Sequence, residues 1–362
     1  MVNRLVLENL KHRPIRTILS AAAIGIQVCM VLTLVGVSRG MLEDLARRTQ
    51  GVGADIVIRA PGSAIIGFST NFSANVLPFV AKLDHVAGAT GILVQPIGGI
   101  DSVTGIDPAG FDAISGGFRY LEGGPLRGPR EILADEVWAR QHHLKAGTTQ
   151  KLLNTDWRVA GIVEPGKLSR VFAPLAELQE LSANTGKLTA IYVKVDRKEN
   201  QAAVIADLKA RLTDYRVYSV EELASLYTVD NVPMLRPFTN VIIGLGLFIG
   251  FLVVFLSMYT AVLERTREIG ILKALGASPG YIVGILMRET ALLAAAGAAL
   301  GILFTYGARW LIAALVPGIH QVIVPDWWPA AAALAMAGAL TGAVYPGLKA
   351  ARQDAIEALS YD

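Results

Sequence analysis

The chain is short of the residues from which catalytic and metal centres are built. Its 362 residues include one cysteine, Cys29, and five histidines. A single thiol makes no intramolecular disulfide, and Cys29 lies inside an apolar run, where a small thiol packs like any other hydrophobe. His142 and His143 are adjacent, but neighbouring residues point apart on either a helix or a strand. No further Cys or His follows nearby to complete a coordination set, so no metal site is expected. H-E-x-x-H and P-loop patterns are missing. Glycine-rich stretches such as "EGGPLRG" and "GPREILADE" lack the Lys-Ser/Thr that holds a nucleotide phosphate, so these residues are not expected to hydrolyse ATP alone. Charge is scarce too, at 17% of residues with a net +3 and no basic run, which removes the electrostatic footprint of a nucleic-acid-binding protein.

Apolar residues are plentiful instead, at 53%, with a mean hydropathy of +0.47. That is too apolar for a soluble domain of this length. Four stretches carry no charge and approach or exceed the roughly 20 residues a membrane-spanning helix needs: 17–38, 238–263, 290–308 and 327–348. The first is too long for a signal-peptide core and no A-x-A-like site follows it, so it reads as a retained span. Arg4, Lys11, His12, Arg13 and Arg16 precede it. Arg265, Arg267, Lys273 and Arg288 lie between the second and third spans, and Lys349 and Arg352 follow the fourth. By the positive-inside rule both termini and the 264–280 segment face the cytoplasm, leaving the long stretch from about residue 39 to 237 outside.

That stretch has ordinary soluble composition and is long enough to bury a core. Residues 39–50 read as the first helix continuing beyond the membrane, and 217–235 as a stalk leading back. "GADIVIRA" and "GATGILVQPI" read as strands flanking a helix over 73–85 that starts at a Ser73 cap. "LTAIYVKV" and "DYRVYSV" flank a second helix over 199–212. Two such βαβ-like halves indicate a split ferredoxin-like layer. Between them, 101–172 is turn-rich ("DPAG", "SGG", "EGGP", "RGPR") with short strands such as "WRVAGIVE", a β-rich insertion.

One charged stretch interrupts the oil. In "VLERTREIGILKALGASPGYI", Glu264, Arg265, Arg267 and Glu268 crowd one turn at supportive helical spacings, and Ile269, Leu272 and Leu275 form an apolar stripe. Gly276 offers a stop, with Ser278 and Pro279 as the cap and first turn of the next helix. Alone, this pattern serves equally as a juxtamembrane anchor or as a docking element for a soluble partner. Each span after the first carries a G-x-x-x-G pair that allows close helix approach: Gly246/Gly250, Gly297/Gly301 and Gly338/Gly342. Gln27 and Thr33 are polar groups within the first span.

"ERTREIGILKALGAS" resembles the cytoplasmic coupling segment of the FtsX-like, MacB-type permease family of ABC transporters. "YPGLKAARQDAIEAL" resembles that family's close, "NLKHRPIRTILSAAAIGI" its start, and "VTGIDPAGF" and "WRVAGIVEP" its ectodomain. The resemblance, taken with the spans, implies an α-helical membrane protein with four transmembrane helices and an α+β extracytoplasmic domain. The expected order starts with a membrane-surface helix (1–16), transmembrane helix 1 (17–38), a stalk (39–50), the domain (51–216, insertion 101–172) and a returning stalk (217–237). Transmembrane helix 2 (238–263), the coupling segment (264–280), helix 3 (281–308), an extracytoplasmic link (309–326), helix 4 (327–348) and a cytoplasmic tail (349–362) follow.

It further implies an inner-membrane permease that binds no cofactor itself, with ATP and Mg on a separate cytoplasmic ABC ATPase present in two copies. The permease would act as a homodimer or beside a related permease, in the lipid bilayer, with a periplasmic adaptor left open. Glu264, Arg265, Arg267, Glu268, Lys273, Ala274, Gly276 and Ala277 would meet the ATPase, and Arg352 and Glu357 would brace that contact. The activity implied is ATP-driven export or extraction by mechanotransmission. The alternative is a transmembrane regulator whose ectodomain activates an extracytoplasmic cell-wall hydrolase. An autonomous ion-coupled transporter is disfavoured, since no span shows the buried acidic or basic residues of an ion pathway.

Overall fold

The structure, a computed structural model, describes residues 14–64, 70–98, 101–232 and 235–352. In chain order the described helices are α1 (Pro14–Gln50), α2 (Val76–Val80), α3 (Pro108–Ser115), α4 (Glu136–Gln141), α5 (Leu175–Leu181), α6 (Gln201–Arg211), α7 (Val220–Ser225), α8 (Leu235–Glu264), α9 (Thr266–Ala274), α10 (Pro279–Leu315) and α11 (Trp328–Arg352). The strands are β1 (Ile56–Arg59), β2 (Phe72–Ser73), β3 (Val86–Gly98), β4 (Asp101–Ile106), β5 (Tyr120–Gly123), β6 (Glu131–Asp135), β7 (Thr149–Leu152), β8 (Thr155–Val163), β9 (Val171–Pro174), β10 (Lys187–Leu188), β11 (Ala190–Val195) and β12 (Arg216–Ser219). Two compact units result: Met1–Ser38 with Met234–Ala314 and Gln321–Asp362, and Arg39–Pro233 with Leu315–His320.

In the helical unit, four helices are long and apolar enough to cross a membrane: Thr17–Gln50, Leu235–Glu264, Pro279–Leu315 and Pro325–Arg352. Ile24, Val28 and Leu32 of α1 pack with Val254 and Met258 of α8, Ala298 of α10 and Ala339 of α11. The glycine pairs are what bring the backbones together. A Cβ on Gly297 would lie 2.7 Å from Ile24 Cβ, and one on Gly301 2.6 Å from the Gly25 carbonyl oxygen. Gly342 comes as close to Phe251, 2.7 Å from its carbonyl oxygen, while Gly338 faces the Leu247 carbonyl oxygen at 3.4 Å. Gly246 and Gly250 face α1, where the buried Gln27 side chain lies over Gly250. All three pairs therefore find their partners within this chain. The third spanning helix runs on to Leu315, so the link to the next is shorter than the sequence suggests. The expected surface helix at 1–16 falls mostly outside the described residues.

In the other unit, the sheet order β12-β1-β11-β3 has every neighbour antiparallel. This is the arrangement of a split ferredoxin-like layer, built from the two sequence halves. β1 is buried on both faces, which explains its unbroken Ile-Val-Ile run. Ile56 and Ile58 join a core with Val80 of α2 and Val204 and Leu208 of α6. Val57 joins the opposite core with Phe111 and Ile114 of α3 and Leu223 of α7. Two local expectations need correction. Ser73 is no helix cap: it pairs with Lys187 in the β2–β10 ladder, and the following helix is only Val76–Val80. The returning stalk starts as sheet, because β12 zips onto β1 before the chain reaches α7.

The insertion is not a separate layer. The sheet continues from β3 through β4, β9, β6 and β8 to β5, with β7 hairpinned onto β8. The two-residue turn of that hairpin, Leu153–Asn154, has φ of 51° and 59°, the twist-matched geometry of a primed turn. Trp138 and Trp157 fill the core of this half.

Asp135, 2% exposed, caps α4 by accepting the Trp138 amide at 2.7 Å. Burial pushes its carboxyl up to about 6, against the lowering influence of that amide and of Arg170 and Arg48. A raised folded-state value means the protonated form is favoured by folding. The stabilisation is full below the ordinary carboxylate value near 3.8 and is lost as pH rises through about 6. Wild-type domain stability is therefore expected to fall by about 2 kcal/mol between pH 4 and pH 7 relative to Asp135→Asn, which keeps a good cap without the charge. Parallel denaturation profiles for the two proteins across that range would refute this.

Candidate docking site at the corner between α8 and α10

The corner begins where α8 stops at Glu264. Arg265, at φ −111° and ψ 18°, breaks the helix, and α9 restarts at Thr266. The Thr266 hydroxyl reaches back to the carbonyls of Val262 (3.2 Å) and Leu263 (2.9 Å), satisfying groups that the break frees. At the other end of α9, Ala277 N donates to Leu272 O (3.0 Å) and Gly276 N to Lys273 O (2.9 Å). With Gly276 at φ 92°, this is a Schellman closure, and the missing side chain is what permits it. Ser278 Oγ then accepts the Tyr281 amide at 3.3 Å, and Pro279 opens α10. Two tight, sequence-encoded ends thus hold a nine-residue helix between two spanning helices.

One face of α9 is fastened down. Ile269 packs with Val262, Ile282, Leu286 and Ala350. Lys273 Nζ donates to the Ala351 carbonyl oxygen at 2.8 Å, which ties the end of α9 to the last turn of α11. Lys349, two residues earlier, donates to the Tyr259 hydroxyl at 2.7 Å and sits over its ring, joining α11 to α8. The opposite face is open: Arg267, Glu268, Ile271 and Ala274 are exposed, and Leu275 stands 80% exposed at the tip.

The expected contact residues therefore divide. Glu264, Arg267, Glu268, Ala274 and Gly276 are at the surface and Ala277 is half-buried. Arg265 and Lys273 turn inward. Arg352 ends α11 exposed, next to the carbonyl that Lys273 holds, and Glu357 lies outside the described residues. The stripe Ile269, Leu272 and Leu275 does not act as one face, because Leu275 belongs to the exposed tip.

The largest departure from the sequence reading is a buried charge pair. Arg265 Nη1 lies 3.2 Å from Glu289 Oε2, with side-chain exposures of 9% and 1%. A span does carry buried charge, then, but of both signs and in contact, the form in which apolar surroundings tolerate it. Beside the pair is a cavity of about 310 Å³, walled by Ala261, Ile269, Leu272, Ile285 and Leu286. Glu289 and Ile271 were not singled out from sequence as site residues. The adjacent Arg288–Glu289 in an otherwise uncharged run was the signal available for the first. Among the described residues no cluster of His, Cys, Asp or Glu could hold a metal ion.

The profile of the MacB-like periplasmic core domain matches residues 17–211, and that of the FtsX-like permease C-terminal region matches residues 240–355, which contain the whole corner. The chain belongs to the FtsX-like, MacB-type family of ABC transporter permeases. It is a membrane protein with four spans and a periplasmic domain, the permease part of a MacB-like transporter. The macrolide export ATP-binding/permease protein MacB of Escherichia coli is 25% identical over 392 residues, covering 99% of this chain and 60% of that protein. The uncharacterized ABC transporter permease YknZ of Bacillus subtilis is 27% identical over 241 residues, covering 64% of this chain and 57% of that one. The permease thus spans about 60% of the length of these relatives. The crystal structure of the periplasmic region of MacB from Actinobacillus actinomycetemcomitans aligns at 16% identity with a TM-score of 0.37, covering 50% of this chain and 96% of that one.

Proposed function

We propose that this permease is the membrane subunit of an ATP-driven exporter or extractor, moved by a separate cytoplasmic ATPase and acting through its periplasmic domain. The observation that carries the reading is the two-sided α9. A short helix with one face locked to α8, α10 and α11 and an open face of Arg267, Glu268, Ile271 and Leu275 is built to pass a push from a soluble partner into the spans. By the positive-inside rule, Arg265, Arg267, Lys273 and Arg288 support a cytoplasmic location for this corner, and the same reading would have the α11 end and both termini on that side. Two ATPase copies would serve a homodimer or a pair with a related permease, and ATP and Mg would be bound there. The cargo class is an amphiphile, peptide or lipoprotein taken from the outer leaflet, worked by mechanotransmission rather than by passage between the spans.

Purification of the full chain in mild detergent is expected to bring down an ABC ATPase in stoichiometric amount. Leu275→Asp, at a site 80% exposed, is expected to leave insertion unchanged. It should weaken ATPase binding about 30-fold, the effect of losing an interface anchor worth about 2 kcal/mol. Undiminished binding would remove α9 from the contact, and absence of any ATPase would overturn the reading. Recovery of an extracytoplasmic hydrolase instead would favour the regulator.

A further inference from the structure

The connector between α10 and α11 offers a second path for movement, one that does not run through the stalks. Its residues Leu315–His320 belong to the same compact unit as the periplasmic domain, although the chain on either side of them belongs to the helical unit. The connector is held there by Arg170, on the strand-entry loop before β9. Arg170 Nη2 donates to the Gly318 carbonyl oxygen at 2.7 Å, and the same nitrogen lies 3.5 Å from Asp44 Oδ2 in α1. Asp44 is held in turn by Arg48 at 2.8 Å. The Arg170 side chain is only 13% exposed, so this is an interior junction and not a surface ion pair of negligible worth.

The surroundings leave the junction little freedom. Gly318 lies so close to the Gln141 side-chain oxygen and to Arg170 that a Cβ there would collide with them. Arg170 is pinned at its own backbone, where its carbonyl oxygen accepts the Asp135 amide at 2.7 Å beside the α4 cap. The loop leading to it is tied to the end of α1, with Leu168 N donating to Arg48 O at 2.8 Å. A single guanidinium therefore joins three pieces of chain: α1 beyond its membrane stretch, the β-rich half of the periplasmic domain, and the connector.

We infer that Arg170 is a positioning residue of the transport cycle, coupling displacement of α10 and α11 to the β-rich half of the periplasmic domain through the Gly318 carbonyl. The inference rests on the ATP-driven reading above for its cause of motion, and on the junction alone for its path. A planar fork suits the task, because it can hold a carbonyl and a carboxylate at once, whereas an ammonium serves them one at a time.

Two measurements on the full chain in lipid nanodiscs test it. Spin labels at the exposed positions Arg140 and His320 report the junction without any ATPase. A narrow distance distribution is expected, broadened at least twofold in Arg170→Ala and intermediate in Arg170→Lys. The same narrow distribution in Arg170→Ala would overturn the inference, whatever becomes of the ATPase. In the complex with the ATPase, trapping ATP is expected to change hydrogen exchange across residues 101–174, and Arg170→Ala to remove at least half of that change. Unchanged protection of β6 and β8 without nucleotide, and an ATPase rate within twofold of wild type, would show that the variant is folded and driven. If Arg170→Ala passes on the whole change, the connector is not a path and the inference fails. If ATP alters nothing in the wild type, the exporter reading fails, while the label distances still decide the junction.

Discussion

Glu289→Leu is expected to destabilise the helical unit by about 3–5 kcal/mol, because it removes the carboxylate that faces the buried Arg265 guanidinium. Arg265 has 9% of its side chain exposed and Glu289 1%, so both charges are largely shielded from bulk water. The paired replacement Arg265→Met/Glu289→Leu is expected to recover most of that loss, since two apolar side chains of similar volume leave no charge to satisfy. Unfolding in mixed micelles of the wild type, both single variants and the double variant closes the cycle, and a coupling energy above about 2 kcal/mol is expected. A coupling near zero would mean that the ion pair does not hold α9. The functional cost should separate from the stability: the double variant is expected to fold yet to transmit poorly, because the break at Arg265 has lost the directional contact that orients α9 against α10.

Gly301→Val is the second large expected effect, a loss of about 3 kcal/mol, at the upper end of what overpacking produces. At this position a Cβ meets the Gly25 carbonyl oxygen at 2.6 Å and Val28 Cβ at 2.6 Å, so two helix backbones must part. Gly250→Ala should be far milder, although its nearest neighbour is closer still, because that neighbour is the end of the flexible Gln27 side chain and can swing aside. Gly307→Ala meets nothing within 4 Å and is expected to be neutral or slightly stabilising, as alanine is the better helix former. Thermal unfolding of the three variants in one detergent ranks them. Equal losses at 301 and 307 would show that helix propensity, not close approach, governs these glycines.

The contrast among these glycines shows what the sequence alone could convey. G-x-x-x-G spacing marks a helix face, but Gly301 faces Gly25 across hundreds of residues of chain, and no local pattern names that partner. The same holds for Glu289, whose counterion is 24 positions away across a tight corner, and for Arg170, whose carbonyl partner is Gly318. Periodic and punctuated features were legible: uncharged runs became spanning helices, and Ser278–Pro279 opened α10 as a cap and first turn should. "GADIVIRA" and "LTAIYVKV" became central strands. Ser73 misled because a serine before an apolar run serves equally well at a strand end, and only its pairing with Lys187 decides between the two. The α9 stripe misled at Leu275 because three apolar residues at helical spacing do not say where the helix stops being covered.

The sheet order carries a consequence for how the periplasmic domain is made. β1 pairs with β11 and β12, closing loops on the order of 140 to 160 residues, whereas β7 pairs with β8 across a two-residue turn and β6 with β8 within about 30 residues. As the polypeptide arrives from its N-terminal end, the β-rich half has all its neighbours to hand while β1 is still without either partner. The half that reads first in the sequence is thus the last to be completed, and until β11 and β12 arrive β1 is an open edge of apolar strand, the place where a quality-control chaperone would have most to hold.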